Sequence, residues 1–327
     1  MKAAAILVLS CLAAWMLLTP LSAQPTSGAG ASMVASTRAT PVRVLTLNVL
    51  HGLSCPPATD ACQLGDRLQI FAEYVEAADC PDLIGLQEIS ARVEQLLPPV
   101  VATMCRGAYA TAWQAAPDNP FDRVMVLSRL PIVERGFLDL ANYPWEAYWV
   151  RVRSDQGPVD FLTAHFASSV NNPTCDGTRC PPLCMAGIST NECHAVQTLD
   201  HVDGREGAAL TVVAGDLNAE PGEPTVLRLR RARFVDTWLK SGRPECTPAR
   251  TNGCTGGGGQ TGPFVGMDTR DGPGFDQRID YVMTRAGKGC DLRITTRSFA
   301  AKARAQPLNG MWWPSDHGGV LARLRCA

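Results

Sequence analysis

No excess of charge of either sign marks this 327-residue chain, in which 30 basic and 31 acidic side chains leave a net charge of −1. Such a balance excludes a strongly basic nucleic-acid coat and leaves room only for a local basic cleft. A paired C-x-x-C is missing from the densest cysteine segment, CDGTRCPPLCMAGISTNEC, which holds Cys175, Cys180, Cys184 and Cys193. That absence argues against a zinc ribbon. Neither Lys-Ser/Thr nor a helix start follows the glycine run at 256–259, so the run reads as a loop and not as a phosphate cradle. No internal repeat or second composition regime divides the chain. One layered domain is the simplest organisation.

What is present begins with Lys2, an apolar stretch from Ala3 to Leu18 and the exit Thr-Pro-Leu-Ser-Ala. A charged start, an apolar middle and a small-residue exit make residues 1–23 a secretory signal peptide cut after Ala23, with an uncleaved anchor as the alternative. Its removal leaves 29 basic against 31 acidic residues and twelve cysteines. Export and even parity predict up to six disulfides in a secreted or periplasmic protein. Brief loops suit Cys55–Cys62 and Cys246–Cys254, Cys290–Cys326 would tie the last two strands, and Cys80–Cys105 is a further pairing. Residues 24–41 are small and polar and form a flexible leader, so the folded domain spans 42–327.

From Val42 strands and helices alternate. VRVLTLNVL is apolar on both faces, as a doubly covered strand should be. A helix follows, with Leu68, Phe71, Ala72 and Val75 on one stripe and Glu73 and Glu76 off it. Further buried strands are expected at LIGLQEI, RVMVLS, YWVRV, VDFLTAHF, LTVVAGDL, RIDYVMT and GVLARLR. The segment 171–193 and CTGGGGQTGPF read as surface insertions.

Most of these apolar runs close on a polar residue: Asn48, Glu88, His165, Asp216 with Asn218, Asp280, and Asp316 with His317 after PS. Asp and Asn are ordinary turn residues, which would explain any one of them. A set of eight is harder to explain that way, because a buried carboxylate without a partner costs several kcal/mol. His51, His194 and His201 carry no such context and read as surface or core histidines.

In this order, LTLNVLHG, GLQEI, LTAHF, GDLNA, RIDYV and PSDHGG resemble the endonuclease/exonuclease/phosphatase superfamily, from about Val42 to Leu324. Deoxyribonucleases, abasic-site endonucleases, inositol polyphosphate phosphatases and neutral sphingomyelinases belong to it. The resemblance implies an α+β fold, a four-layer α/β/β/α sandwich of two packed mixed sheets. It also implies that Glu88, Asn48 and Asp316 hold Mg²⁺, with Mn²⁺ as substitute. His317 would be the general acid/base and Asp280 would fix its tautomer. His165 and Asn218 would bind phosphate oxygens, and Asp216 would orient or deprotonate the attacking water. Where some family nucleases carry an acid two places after the first Asn, this chain has Leu50, which leaves one-metal or two-metal use open.

A monomeric, metal-dependent phosphodiesterase of sphingomyelinase-like type is the first functional expectation; a secreted non-specific endonuclease and a non-catalytic binding protein on the same fold are the alternatives. AEPGEP follows GDLN in place of the basic signature of an inositol phosphatase. Arg228, Arg230, Arg231 and Arg233 read as a solvated helix face. Trp312 and Trp313 point to opposite sides of an extended segment, so one ring at the rim could meet a phospholipid membrane surface or stack on a base of a nucleic-acid substrate.

Overall fold

The computed structural model describes residues 39–50, 62–114, 123–142, 144–168, 172–176, 178, 180–247, 249–257 and 266–326. The expected signal segment, the leader up to residue 38, His51, Cys55 and the last two glycines of the run lie outside the described residues. From residue 39 onward the described chain belongs to one compact unit.

Two mixed sheets of six strands form its centre. The first contains β1 (Val42–Asn48), β2 (Leu83–Ile89), β3 (Ala110–Ala112), β4 (Arg123–Ser128), β11 (Leu292–Phe299) and β12 (Gly319–Cys326), in the order β11-β12-β1-β2-β4-β3. The second contains β5 (Ile132–Asp139), β6 (Glu146–Ser154), β7 (Gly157–His165), β8 (Leu210–Asp216), β9 (Val235–Asp236) and β10 (Asp280–Ala286), in the order β5-β6-β7-β8-β10-β9. Val44, Leu83 and Val126 of one sheet meet Val150, Phe161 and Val212 of the other in the central apolar layer. Helices α1 (Leu64–Ala77) and α2 (Ala91–Thr103) cover the first sheet; α3 (Thr190–Asp203) and α4 (Pro224–Arg231) cover the second. A short α5 (Thr237–Lys240) follows β9. The chain is therefore the four-layer sandwich expected, and strands covered on both faces explain the near-continuous apolar runs.

Topology alone gathers the strand ends. β1 and β2 are parallel across the α1 crossover, and β7 and β8 are parallel across α3. Their carboxyl ends, carrying Asn48, Glu88, His165 and Asp216, therefore lie at one end of the sandwich. β10 is antiparallel to β8 with Asp280 opposite Asp216, and His165 is opposite Asp216 on the other side. β12 is antiparallel to β1 with Val320 opposite Thr46, so the residues just before Gly319 reach the same end.

Close backbone approach dictates one glycine there. A Cβ on Gly215 would sit 1.9 Å from the Ala164 carbonyl oxygen, and its φ of 149° lies outside the range other residues favour. Gly215→Ala is expected to destabilise the fold by on the order of 3 kcal/mol. Urea denaturation measures this, and an unchanged midpoint would contradict it. Beneath the strand ends, buried Gln87 donates to Thr46 Oγ1 at 3.1 Å and to Thr163 Oγ1 at 2.8 Å, tying one sheet to the other.

Disulfides join Cys80–Cys105, Cys246–Cys254 and Cys290–Cys326 as expected, and also Cys175–Cys180 and Cys184–Cys193. The segment read as a surface insertion from 171 to 193 runs into α3, whose first turn contains Cys193, and all four of its cysteines are buried. Arg228 pairs with Glu192 of α3, so the arginine cluster partly serves to join two helices.

Candidate active site

Each of the eight strand-end residues occupies the same end of the sandwich, and most are linked directly. Buried Asn48 donates through Nδ2 to Glu88 Oε1 at 2.8 Å and to Asp216 Oδ2 at 3.1 Å, while its Oδ1 accepts the Leu50 N–H at 3.0 Å. Glu88 stands in a β-bulge: the register of β2 against β4 shifts between Leu86 and Ile89, and Glu88 has φ 61°. A left-handed glutamate costs about 1–3 kcal/mol, a strain of the kind that collects at functional sites. Asp216 does make the turn contact that its residue type suggests, since Oδ1 accepts the Asn218 N–H at 2.9 Å. Its Oδ2 is left facing the site, 3.5 Å from His165 Nε2 and 3.8 Å from His317 Nε2.

Asn218, at φ 46°, donates to the Phe166 carbonyl at 2.9 Å and lies 3.0 Å from His165 Nε2. The Trp145 ring meets the His165 ring edge-on at 4.9 Å. His317 Nδ1 lies 3.0 Å from Asp280 Oδ2, and the Asp280 N–H is fixed on Thr255 Oγ1 at 3.0 Å. Burial would depress the His317 imidazole, but Asp280 and then Asp216 outweigh it and hold the ring well above its usual range. Burial lifts Asp280 to about 6 against the pull of His317.

Two further residues weld the loops that carry this chemistry. Ser315 Oγ donates to the Asn48 carbonyl at 2.6 Å and accepts the His317 N–H at 3.1 Å. Arg67 of α1, fully buried, donates to carbonyls of the β1–α1 loop and of Pro314. Neither was anticipated. For Arg67 a signal existed, because it lies four residues before Phe71 on the apolar stripe, where a charge is out of place. Ser315 carried none beyond its place in PSDH.

The Glu88 and Asp316 carboxylates fit a hard divalent cation. Burial raises the Asp316 carboxyl first; His317 lowers it and Glu88 raises it again. Carboxylates repelling one another around an amide, with no thiolate among them, suit Mg²⁺ or Mn²⁺. Asp216, Asp280 and His317 also offer three atoms within 4.8 Å, but there the imidazole already answers the carboxylates. Cys175, Cys180 and Cys193 are similarly close, and their disulfides remove the thiolates a metal needs.

Of the tryptophan pair, Trp313 is buried, with Nε1 donating to the Thr269 carbonyl at 2.9 Å. Trp312 is half-buried, with the Arg270 guanidinium 5.8 Å from its ring centre. A groove of about 880 Å³ that Trp313 borders is lined by Arg243, Arg297, Lys302, Asp271 and Phe275, and contains none of the eight strand-end residues. His194 is buried beside the cluster, within electrostatic reach of His165, accepting the Ala167 N–H at Nδ1 with Nε2 2.7 Å from the Ala141 carbonyl.

That burial lowers His194 to about 4, opposed by the Ala141 bond and aided by His165, with the Trp145 and Phe166 rings packed around it. The unfolded chain takes up this proton near pH 6.5 and the folded one near 4. Stability from neutral His194 is therefore full above about pH 6.5 and is lost as pH falls toward 4, an effect of about 3 kcal/mol. His194→Asn should flatten this part of a urea-midpoint profile. The same slope in variant and wild type would contradict the assignment.

Solved structures share this architecture. D. rerio TDP2 complexed with a single-strand DNA product is similar at a TM-score of 0.60, with 17% identity over 87% of this chain and 99% of that one. A Bacteroides thetaiotaomicron mannosyl-6-phosphatase matches at 0.59, with 15% identity over 86% and 99% of the two chains. An endonuclease/exonuclease/phosphatase family protein from the same organism matches at 0.61, with 15% identity over 89% and 99%. No curated protein matches the chain significantly. Residues 45–317 match the Endonuclease/Exonuclease/phosphatase family, whose members are hydrolases of phosphoester bonds, and the chain belongs to that family.

Proposed function

We propose that this chain is an exported, monomeric phosphodiesterase using one divalent cation, Mg²⁺ or Mn²⁺. The observation that carries the reading is the electrostatically coupled carboxylate pair Glu88 and Asp316, with the Asn48 amide on Glu88, beside the His317–Asp280 pair. Every group it needs comes from one chain. A bound cation supplies counter-charge to the phosphate oxygens. Asn48, Glu88 and Asp316 would hold it. Leu50, where a further acid would stand, is buried among Ile70, Met267 and Met311, which favours a single cation.

Asp280 holds the proton on His317 Nδ1 and so presents Nε2 to the cleft, where it exchanges a proton with an oxygen of the substrate. Asp216 orients the attacking water through Oδ2, the oxygen that faces His165 and His317 and also accepts from Asn48, while Oδ1 takes the Asn218 N–H. Asn218, with one Nδ2 hydrogen on the Phe166 carbonyl, turns the other from His165 Nε2 to a nonbridging phosphate oxygen, and His165, braced by Trp145, donates from Nε2 when protonated. Five disulfides among the described residues agree with export.

Two substrate classes follow from two observations. Half-buried Trp312 supports the sphingomyelinase-like reading as the one ring of the pair left out of the core. Arg243, Arg297 and Lys302 beside aromatic rings in the neighbouring groove support a nucleic-acid strand, the class bound in the D. rerio structure. Purified protein with Mg²⁺ should hydrolyse a bis-aryl phosphodiester, and exhaustive EDTA dialysis should abolish it; undiminished turnover would contradict the reading. Sphingomyelin vesicles, plasmid DNA and RNA in the same assay decide the class.

A further inference from the structure

Arg67 is a charged residue in the wrong chemical company. It occupies the buried stripe of α1 with Leu64, Leu68, Phe71 and Val75 and has no solvent exposure. Burying a guanidinium costs several kcal/mol unless its donors are well satisfied. Here they are spent on backbone carbonyls of two distant segments. Nη1 donates to Val49 O at 2.7 Å and to Pro314 O at 3.0 Å, Nη2 to Leu50 O at 3.0 Å and Nε to Cys62 O at 2.7 Å.

The segments so joined carry the proposed chemistry. Asn48 precedes Val49 and Leu50; Asp316 and His317 follow Pro314 and Ser315. Leu50 sits at φ 56°, a left-handed turn that a leucine does not hold by preference. Its conformation is fixed from both ends, by its N–H on Asn48 Oδ1 and its carbonyl on Arg67. Ser315 adds a second link across the same gap through the Asn48 carbonyl. A planar fork can reach several carbonyls from one position, which a lysine ammonium cannot reproduce.

We propose that Arg67 is a positioning residue that locks the loop after β1 to the loop before β12, setting Asn48 against Asp316 before any cation arrives. The proposal rests on the cation site described above. Its chemical consequence is preorganised cation binding, since ligands already in place need no ordering when the ion enters.

The test is calorimetric Mn²⁺ binding to EDTA-stripped, full-length protein in wild type, Arg67→Lys, Ser315→Ala and Val152→Ala. The last is a core truncation in β6, remote from both loops, that lowers stability without touching them. Arg67→Lys should weaken Mn²⁺ binding about 10-fold or more, the scale set by supporting partners of metal ligands, with kcat at saturating Mn²⁺ recovering to within about 3-fold. Ser315→Ala should weaken binding in the same direction and serves if Arg67→Lys does not fold. Wild-type affinity in Arg67→Lys despite a lowered melt, or an equal affinity loss in Val152→Ala, would overturn the proposal.

Amide hydrogen exchange in the metal-free proteins reads the clamp without recourse to catalysis. Protection of the Leu50 and His317 N–H groups should fall about 10-fold in Arg67→Lys while Val150 is unchanged. Should wild type take up no Mn²⁺, the proposed reaction fails, and unchanged exchange at Leu50 and His317 would separately overturn the clamp.

Discussion

Replacing His317 by alanine is expected to lower kcat by about 10²–10⁴, the range of a lost general acid/base. The imidazole is bracketed by two carboxylates, at 3.0 Å from Asp280 Oδ2 and 3.8 Å from Asp216 Oδ2. Only one of these contacts is a hydrogen bond, so Asp280 fixes the ring while Asp216 leaves the Nε2 edge open to substrate. Asp280→Asn should therefore reproduce part of the loss by misorienting the same ring, with little change in KM. Steady-state kinetics on the bis-aryl phosphodiester checks both. A loss under about 3-fold in His317→Ala would move the role to another group, His165 first. Wild-type turnover in Asp280→Asn would dissolve the pair.

Glu88→Gln is expected to raise the half-saturating concentration of Mg²⁺ by at least about 10–100-fold, the effect seen for mere supporting partners of metal ligands. Glutamine keeps the size and the Asn48 contact and removes the charge. The fold should not suffer for it. Glu88 repels Asp316, so in metal-free protein the variant should melt at or above the wild-type temperature. Differential scanning calorimetry without and with Mg²⁺ reads both effects. A collapse of the metal-free melt would mark Glu88 as a structural residue of the bulge.

Why some of this was legible and some was not has a physical pattern. The strands anticipated, β1, β2, β4, β6, β7, β8, β10 and β12, are the interior strands of the two sheets. Those that went unseen, β3, β5, β9 and β11, are the four sheet edges. An edge strand is wetted on one side and needs no continuous apolar run, as the largely exposed β5 illustrates. The same reasoning applies to the site. Polar residues at the ends of interior strands stand out against apolar runs, and topology carries them to one place.

Arg67, Ser315 and the bulge at Glu88 act through the backbone. Carbonyl acceptors and a left-handed φ leave no mark on the identity of neighbouring residues, and of the three only Arg67 shows in the sequence, as a charge on an apolar stripe. Trp312 and Trp313 show the reverse case. Alternation correctly separates the two rings, but which one enters the core depends on the 266–275 segment, where Met267, Thr269 and Phe275 meet Trp313.

In the proposed enzyme Asn48, Glu88 and Asp316 form a divalent-cation site next to the His317–Asp280 pair. Anomalous diffraction from crystals soaked in Mn²⁺ tests it most directly. One strong peak ligated by Glu88 and Asp316 with Asn48 beside it is expected, and none in Glu88→Gln at the same Mn²⁺ concentration. A peak ligated instead by Asp216, Asp280 and His317, or no peak in wild type at saturating Mn²⁺, would contradict it.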